Sequence, residues 1–328
     1  MNRLQANAVL LLAGATWGMG FIAQAKAMDS VGPFLFIGLR FLVACAVVLP
    51  FAMLESSRHQ RQAADRALPA DTDVAHAAHA AHAAHAAHAH LLTRDDIAKF
   101  CLIGLTLFAG MACQQVGLLS TSVTNSGFLT GLYVVFTPII CVALFKDRPH
   151  PVIWPAAVLA LSGIFLLSGG DPGALVIGDV LTIFSAFFWA LQVVMIARFV
   201  GQSGRPLALS LTQFLVTAVL ALLVAVILEP IVWSAIIDAA PEILYAGVFA
   251  SGIAFTLQVI GQRYTTAPQA AIFLSSEAPF AALFAFLFLG ERIGVLGIGG
   301  CVLIFSAMLL VELVPEWQVK RLQALNQE

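Results

Sequence analysis

The sequence predicts an all-α integral membrane protein: ten transmembrane helices arranged as two inverted five-helix repeats. Composition is the first observation behind this. The 328 residues are 60% hydrophobic and only 10% charged, with a mean hydropathy of +0.94. A soluble domain is nearer half apolar and a quarter charged, so lipid must cover most of this surface. The second observation is length. The apolar runs divide into blocks of about 17–25 residues, the length that spans a hydrocarbon core. They show no period-2 alternation, which excludes a barrel. The third is an internal repeat. Residues 114–167 and 258–311 align without a gap, pairing Gln114 with Gln258, Gly117 with Gly261, Thr121 with Thr265, Phe136 with Phe280, Arg148 with Arg292 and Ser162 with Ser306. Matched polar and glycine positions carry more weight than matched Val or Leu.

In order, the predicted segments run near residues 8–27, 31–54, 97–119, 123–145, 152–169, 177–199, 207–229, 242–262, 267–289 and 294–314. The breaks carry Gly, Pro or charge, as at Lys146-Asp147-Arg148-Pro149 and Gly204-Arg205-Pro206. The first segment has Arg3 and an Ala25-Lys26-Ala27 ending, features of a signal peptide. It also has a partner in the second half, because Thr16-Trp17-Gly18 resembles Phe188-Trp189-Ala190. Arg40-Phe41-Leu42-Val43 likewise resembles Gln213-Phe214-Leu215-Val216. The repeat therefore extends over five segments, and cleavage would leave one half incomplete. The expected units are residues 1–170, residues 171–314 and a cytoplasmic tail, 315–328. Residues 55–96 form a cytoplasmic His/Ala-rich linker within the first unit.

Charge placement sets the expected orientation. With the N-terminus in the cytoplasm, 13 Lys and Arg lie inside and only Lys26 and Arg292 outside, which is the positive-inside bias. Both termini are then cytoplasmic, in an inner or plasma membrane. Five segments is an odd number, so the second repeat enters the membrane the opposite way up. Inverted repeats give two packings of similar energy, the basis of alternating access.

These residues resemble the EamA-type branch of the drug/metabolite transporter superfamily. The second repeat carries the likeness best, in Arg263-Tyr264-Thr265-Thr266, Glu277-Ala278-Pro279 and Leu287-Phe288-Leu289-Gly290-Glu291. The first repeat departs, with its proline at Pro138, three residues out of step with Pro279. The resemblance implies a secondary transporter that exports a small polar metabolite, such as an amino acid, through a cavity between the halves. It implies no cofactor and no nucleic-acid partner. The expected partners are the bilayer and a small-molecule substrate, with a proton as a candidate coupling ion.

Arg40 is the sharpest single signal, since it falls well inside the second segment. A charge at mid-bilayer costs about 2.5–3.5 kcal/mol on insertion scales, so it should face a cavity or a partner. It reads either as a site for a carboxylate or phosphate or as a structural Arg that snorkels outward or binds helix-end carbonyls. Glu277 is the acidic counterpart, ten residues into the ninth segment. It can take a proton, bind a substrate ammonium, or pair structurally with Arg40 or with backbone groups freed near Pro279. Trp17, Gln24, Gln114, Asn125, Tyr133, Trp189, Gln192, Gln213, Gln258 and Ser276 complete the expected lining. Any one of them alone reads as helix glue; together they suggest a wet path.

The run His76, His79, His82, His85, His88 and His90 offers imidazoles for a metal. Three-residue steps spiral around a helix and gather no cage, so the run reads first as an expanded linker. A metal-ion transporter or sensor using this run is the alternative. An intramembrane enzyme is disfavoured, because all eight His fall outside the apolar segments and no HExxH occurs.

Overall fold

The computed structural model describes residues 1–67, 92–121, 123–169, 176–289 and 294–325, and among these there is helix and turn but no strand. The histidine run lies outside the described residues. The helices are α1 (Arg3–Ala27), α2 (Pro33–Ala67), α3 (Arg94–Gly117), α4 (Val123–Thr130), α5 (Tyr133–Phe145), α6 (Ile153–Leu167) and α7 (Ile177–Ser203). They continue with α8 (Pro206–Leu228), the short α9 (Trp233–Asp238), α10 (Ala240–Tyr245), a π-helical stretch at Ala246–Ile253, α11 (Ala254–Gln262), α12 (Ala267–Leu274), α13 (Glu277–Leu289) and α14 (Val295–Leu325). Among the described residues, eight helical stretches are long and apolar enough to cross a membrane, and α6 is a shorter apolar helix.

Local chemistry explains the boundaries. Thr93 and Asp96 form a capping box at the start of α3, satisfying backbone donors that a helix end leaves open. Pro206 opens α8, where its missing N–H costs nothing. Gly204, at φ 64°, turns the chain out of α7, a conformation in which a side chain is strained.

The fourth and ninth predicted segments are not continuous. One divides into α4 and α5 at Gly131-Leu132, the other into α12 and α13 at Ser275-Ser276. The backbone tightens identically at both places. Leu132 N–H bonds Leu129 C=O and Val134 N–H bonds Gly131 C=O; Ser276 N–H bonds Phe273 C=O and Ala278 N–H bonds Ser275 C=O. These are three-residue steps in place of the α-helical four. Proline does not set the first break, because Pro138 sits inside α5, past the turn.

Two carboxylates pin the ends of α2 and α8 to each other. Glu229 accepts from Phe34 N–H and Leu35 N–H, both at 2.8 Å. Glu55 accepts from Leu207 N–H and Ala208 N–H, both at 3.1 Å, and pairs with Arg205. A carboxylate at a helix N-terminus satisfies free N–H groups and meets the positive end of the dipole. α2 lies along α8, α3 along α7, α6 along α14, and α1 along α11; α5 packs on α7, and α12 and α13 pack on α1. The outer faces stay apolar: Ile227 is 77% exposed and Val295 87%. Lipid covers such a surface without cost, whereas water would not.

Candidate functional site

The tightened turns bring the chemistry together. A cavity at the centre of the bundle is lined by Trp17, Gln24, Arg40, Gln114, Tyr133, Trp189, Gln258 and Glu277, with Thr130 and the apolar Met111, Val193, Phe255 and Leu274 completing its wall. Tyr133 and Glu277 are the first residues of α5 and α13, so each side chain projects from a helix end. Close approach of α1 builds the wall beside them. A Cβ on Gly18 would lie 2.6 Å from Ala281 N and 2.7 Å from Glu277 O, so only glycine lets α1 touch the start of α13.

Arg40 is 1% exposed. Its Nε–H donates to Ser251 Oγ at 2.9 Å, and its guanidinium carbon lies 5.5 Å and 5.4 Å from the Phe36 and Phe41 ring centres. Nη1 has no hydrogen-bond partner. Ser251 comes from the π-helical stretch, and so does Ala250, whose carbonyl accepts the Trp17 indole N–H at 2.8 Å. A π-turn is a common device at functional sites, and here one turn fixes two lining side chains. Glu277 shows no ion pair with Arg40, and no described residue donates a hydrogen bond to its carboxylate. The expected structural pairing of the two charges is therefore absent among the described residues.

Other buried polar atoms are also left open. Among the described residues, Tyr133 OH, Trp189 Nε1, Gln24 Oε1 and Gln258 Oε1 have no partner. Buried polar groups are ordinarily bonded, and an orphan costs about 1–3 kcal/mol. Such a cluster in one cavity fits a site that a solute completes. The aromatic wall turns on Phe255: it stacks on Trp189 at 5.5 Å and 11°, and lies 4.7 Å from Trp17 and 6.0 Å from Phe41.

The remaining expected residues do not line this cavity. Gln192 donates to Gln213 Oε1 at 3.1 Å and accepts from Gln258 Nε2 at 3.1 Å, which orients Gln258 from behind. Ser276 is fully buried in the turn before α13. Asn125 reaches Asp179 at 3.4 Å. Ser251 and Phe255 went unread in the sequence, because a serine and a phenylalanine in an apolar run carry no signal. Glu277 is also not alone as an intrahelical acid, since Asp179 and Glu312 both sit within helices and are largely buried. Asp179 lies in the first turn of α7 and Glu312 beside the predicted end of the tenth apolar segment, which hid them.

A profile of the EamA-like transporter family matches residues 4–70, 74–169 and 176–313. The chain belongs to that family. It is thereby a multi-pass membrane transporter of the drug/metabolite transporter superfamily, acting on a small-molecule substrate. Among curated proteins this EamA-like transporter is 30% identical to an uncharacterized transporter of Archaeoglobus fulgidus, over 95% of this chain and 87% of that one. It is 27% identical to the uncharacterized transporter YwfM of Bacillus subtilis, over 63% of this chain and 72% of that one. A solved crystal structure matches with a TM-score of 0.71 at 18% identity, covering 95% of this chain and 98% of the other. At that identity the likeness is one of fold.

Proposed function

We propose that this chain is a secondary transporter exporting a small zwitterionic metabolite, an amino acid or similar, by alternating access. One observation carries the reading. One aromatic-walled cavity holds a buried guanidinium with an N–H that has no acceptor, and a carboxylate that has no donor, among the described residues. Arg40 takes the substrate carboxylate through Nη1, aided by Tyr133 OH and Trp189 Nε1–H. Glu277 takes the ammonium, or a proton when the site is empty. Exchange between substrate and proton at one carboxylate couples the two fluxes.

Alternating access rests on two inverted five-segment repeats, residues 1–170 and 171–314. The helix contacts support this reading, because they keep their pattern when the halves are exchanged. α1 packs on α11 as α7 packs on α3, while α2–α8 and α6–α14 each map onto themselves. The carboxylate clamps support it too: setting Arg40 on Gln213 puts Phe34 and Leu35 on Leu207 and Ala208. The Glu55 clamp then lies at the cytoplasmic end, with both chain termini, and the Glu229 clamp at the outer end. Residues past 314 continue α14 into the cytoplasm. A site between broken helices near mid-membrane suits this arrangement.

The test is uptake of labelled amino acids into proteoliposomes, after comparing metabolites in medium from cells with and without the protein. Substrate counterflow that Arg40→Ala abolishes, with the protein still in the membrane, supports the assignment. Full transport by both Arg40→Ala and Glu277→Gln would overturn it. For the metal reading, deletion of residues 74–91 is the discriminating variant: unchanged transport argues for a linker, and loss of transport for metal use.

A further inference from the structure

Two carboxylates outside the cavity occupy matching places at its two ends. At one end Asp179 Oδ1 accepts from Thr121 Oγ1–H and from Asn125 Nδ2. Its Oδ2 takes Val176 N–H at 2.9 Å. This ties the start of α7 to the end of α3 and the start of α4. At the other end Glu312 Oε2 accepts from Asn7 Nδ2 at 2.5 Å and Gln269 Nε2 at 2.8 Å, with Arg3 Nε at 3.6 Å. This ties the start of α1 to the start of α12 and to α14.

The repeat alignment makes these clusters counterparts. Pairing Gln114 with Gln258 sets Asn125 on Gln269, and pairing Trp17 with Trp189 sets Asn7 on Asp179. The first copy thus has a neutral Asn where the second has the acid. Glu312, arriving from α14, supplies the missing charge. A further cavity, lined by Arg3, Arg198, Val194 and Gln269, lies just beyond the Glu312 cluster. Val193, the neighbour of Val194, lines the central cavity, so α12 and this stretch of α7 wall one space from the other.

We infer that Asp179 and Glu312 are the two gate residues of the transport cycle, each holding one end of the central cavity shut. The inference rests on the alternating-access reading above. Releasing Glu312 frees α12 from α1 and α14 and joins the central cavity to the second cavity, lined by Arg3 and Gln269. Releasing Asp179 frees α4 from α7 at the opposite end. Neither carboxylate touches the central cavity, so each acts on access and not on solute binding.

The experiment is thiol accessibility. In full-length protein with its five cysteines replaced by serine, Met111→Cys places a reporter in the cavity wall. A membrane-impermeant maleimide is applied to intact cells or to inside-out vesicles. Asp179→Asn should raise labelling from the end bearing Lys26 and lower it from the end bearing Arg3, and Glu312→Gln should do the reverse. Losing one charge-assisted hydrogen bond allows a population shift of about tenfold. Asn125→Ala and Gln269→Leu, which remove donors and leave the acids in place, should shift labelling in the same directions and stand in should an acid variant not fold. Labelling from both faces that none of these variants shifts would overturn the gate assignment alone. Labelling from one face only, in the reporter protein and every variant, would overturn alternating access and the gates with it.

Discussion

Tyr133 and Glu277 stand at one aligned position of the two repeats, each the first residue of a helix that restarts after a tightened turn, and both line one cavity. The backbone of the two halves is therefore alike where their chemistry differs most. One half contributes a phenol, the other a carboxylate, and Arg40 stands at the position where the second half has Gln213. On the alternating-access reading proposed above, a repeated frame would supply two packings, while the differing side chains give the cavity a cationic residue and an anionic one.

Replacing Tyr133 with Phe tests the phenol directly. Its hydroxyl has no protein partner, so losing it should leave thermal stability in detergent unchanged or slightly raised. Substrate affinity should fall by about 0.5–1.5 kcal/mol, the worth of one hydrogen bond. Melting temperature and binding isotherms separate the two effects.

Arg40→Ala and Ser251→Ala should differ in degree. The first removes the guanidinium and should abolish binding of carboxylate-bearing solutes. The second removes one hydrogen bond that aims it, and should weaken binding by roughly 1 kcal/mol. Equal losses in a binding assay would argue against a direct role for Arg40.

Glu277→Gln should uncouple transport. Gln cannot release a proton, so accumulation driven by a pH gradient should vanish. Exchange of labelled for unlabelled substrate should persist, with altered affinity. Proteoliposomes with and without an imposed gradient give both readings.

Gly18→Leu should destabilise the fold. The added side chain meets Ala281 N and Glu277 O within 2.7 Å, and backbone cannot yield as a flexible side chain can. Overpacking of this kind costs about 1–3 kcal/mol, visible as a lower melting temperature and reduced membrane yield.

Glu55→Gln and Glu229→Gln should each lower stability, by about 1.5–3 kcal/mol for hydrogen bonds to a charged group. The two clamps lie at opposite ends of α2 and α8 and share no partner, so the double variant should show the sum of the two losses.

The sequence by itself determined the helical membrane class and, among the described residues, the place of most apolar spans. These follow from composition and spacing, because lipid demands long apolar helices with every backbone group satisfied internally. It also picked out Arg40 and Glu277, since a charge in an apolar run is conspicuous. Only the tertiary structure decided which polar residues share one cavity. Gln192 and Gln258 look alike as letters, yet one supports the other from outside the cavity wall. It alone revealed Ser251 and Phe255, whose roles come from a π-turn and from ring contacts across four helices. It also separated Asp179 and Glu312 from ordinary segment-end charges, because partners of each lie on elements distant in sequence. Hydropathy reads one residue at a time, whereas a site is set by which faces of separate helices meet, and that is fixed by packing.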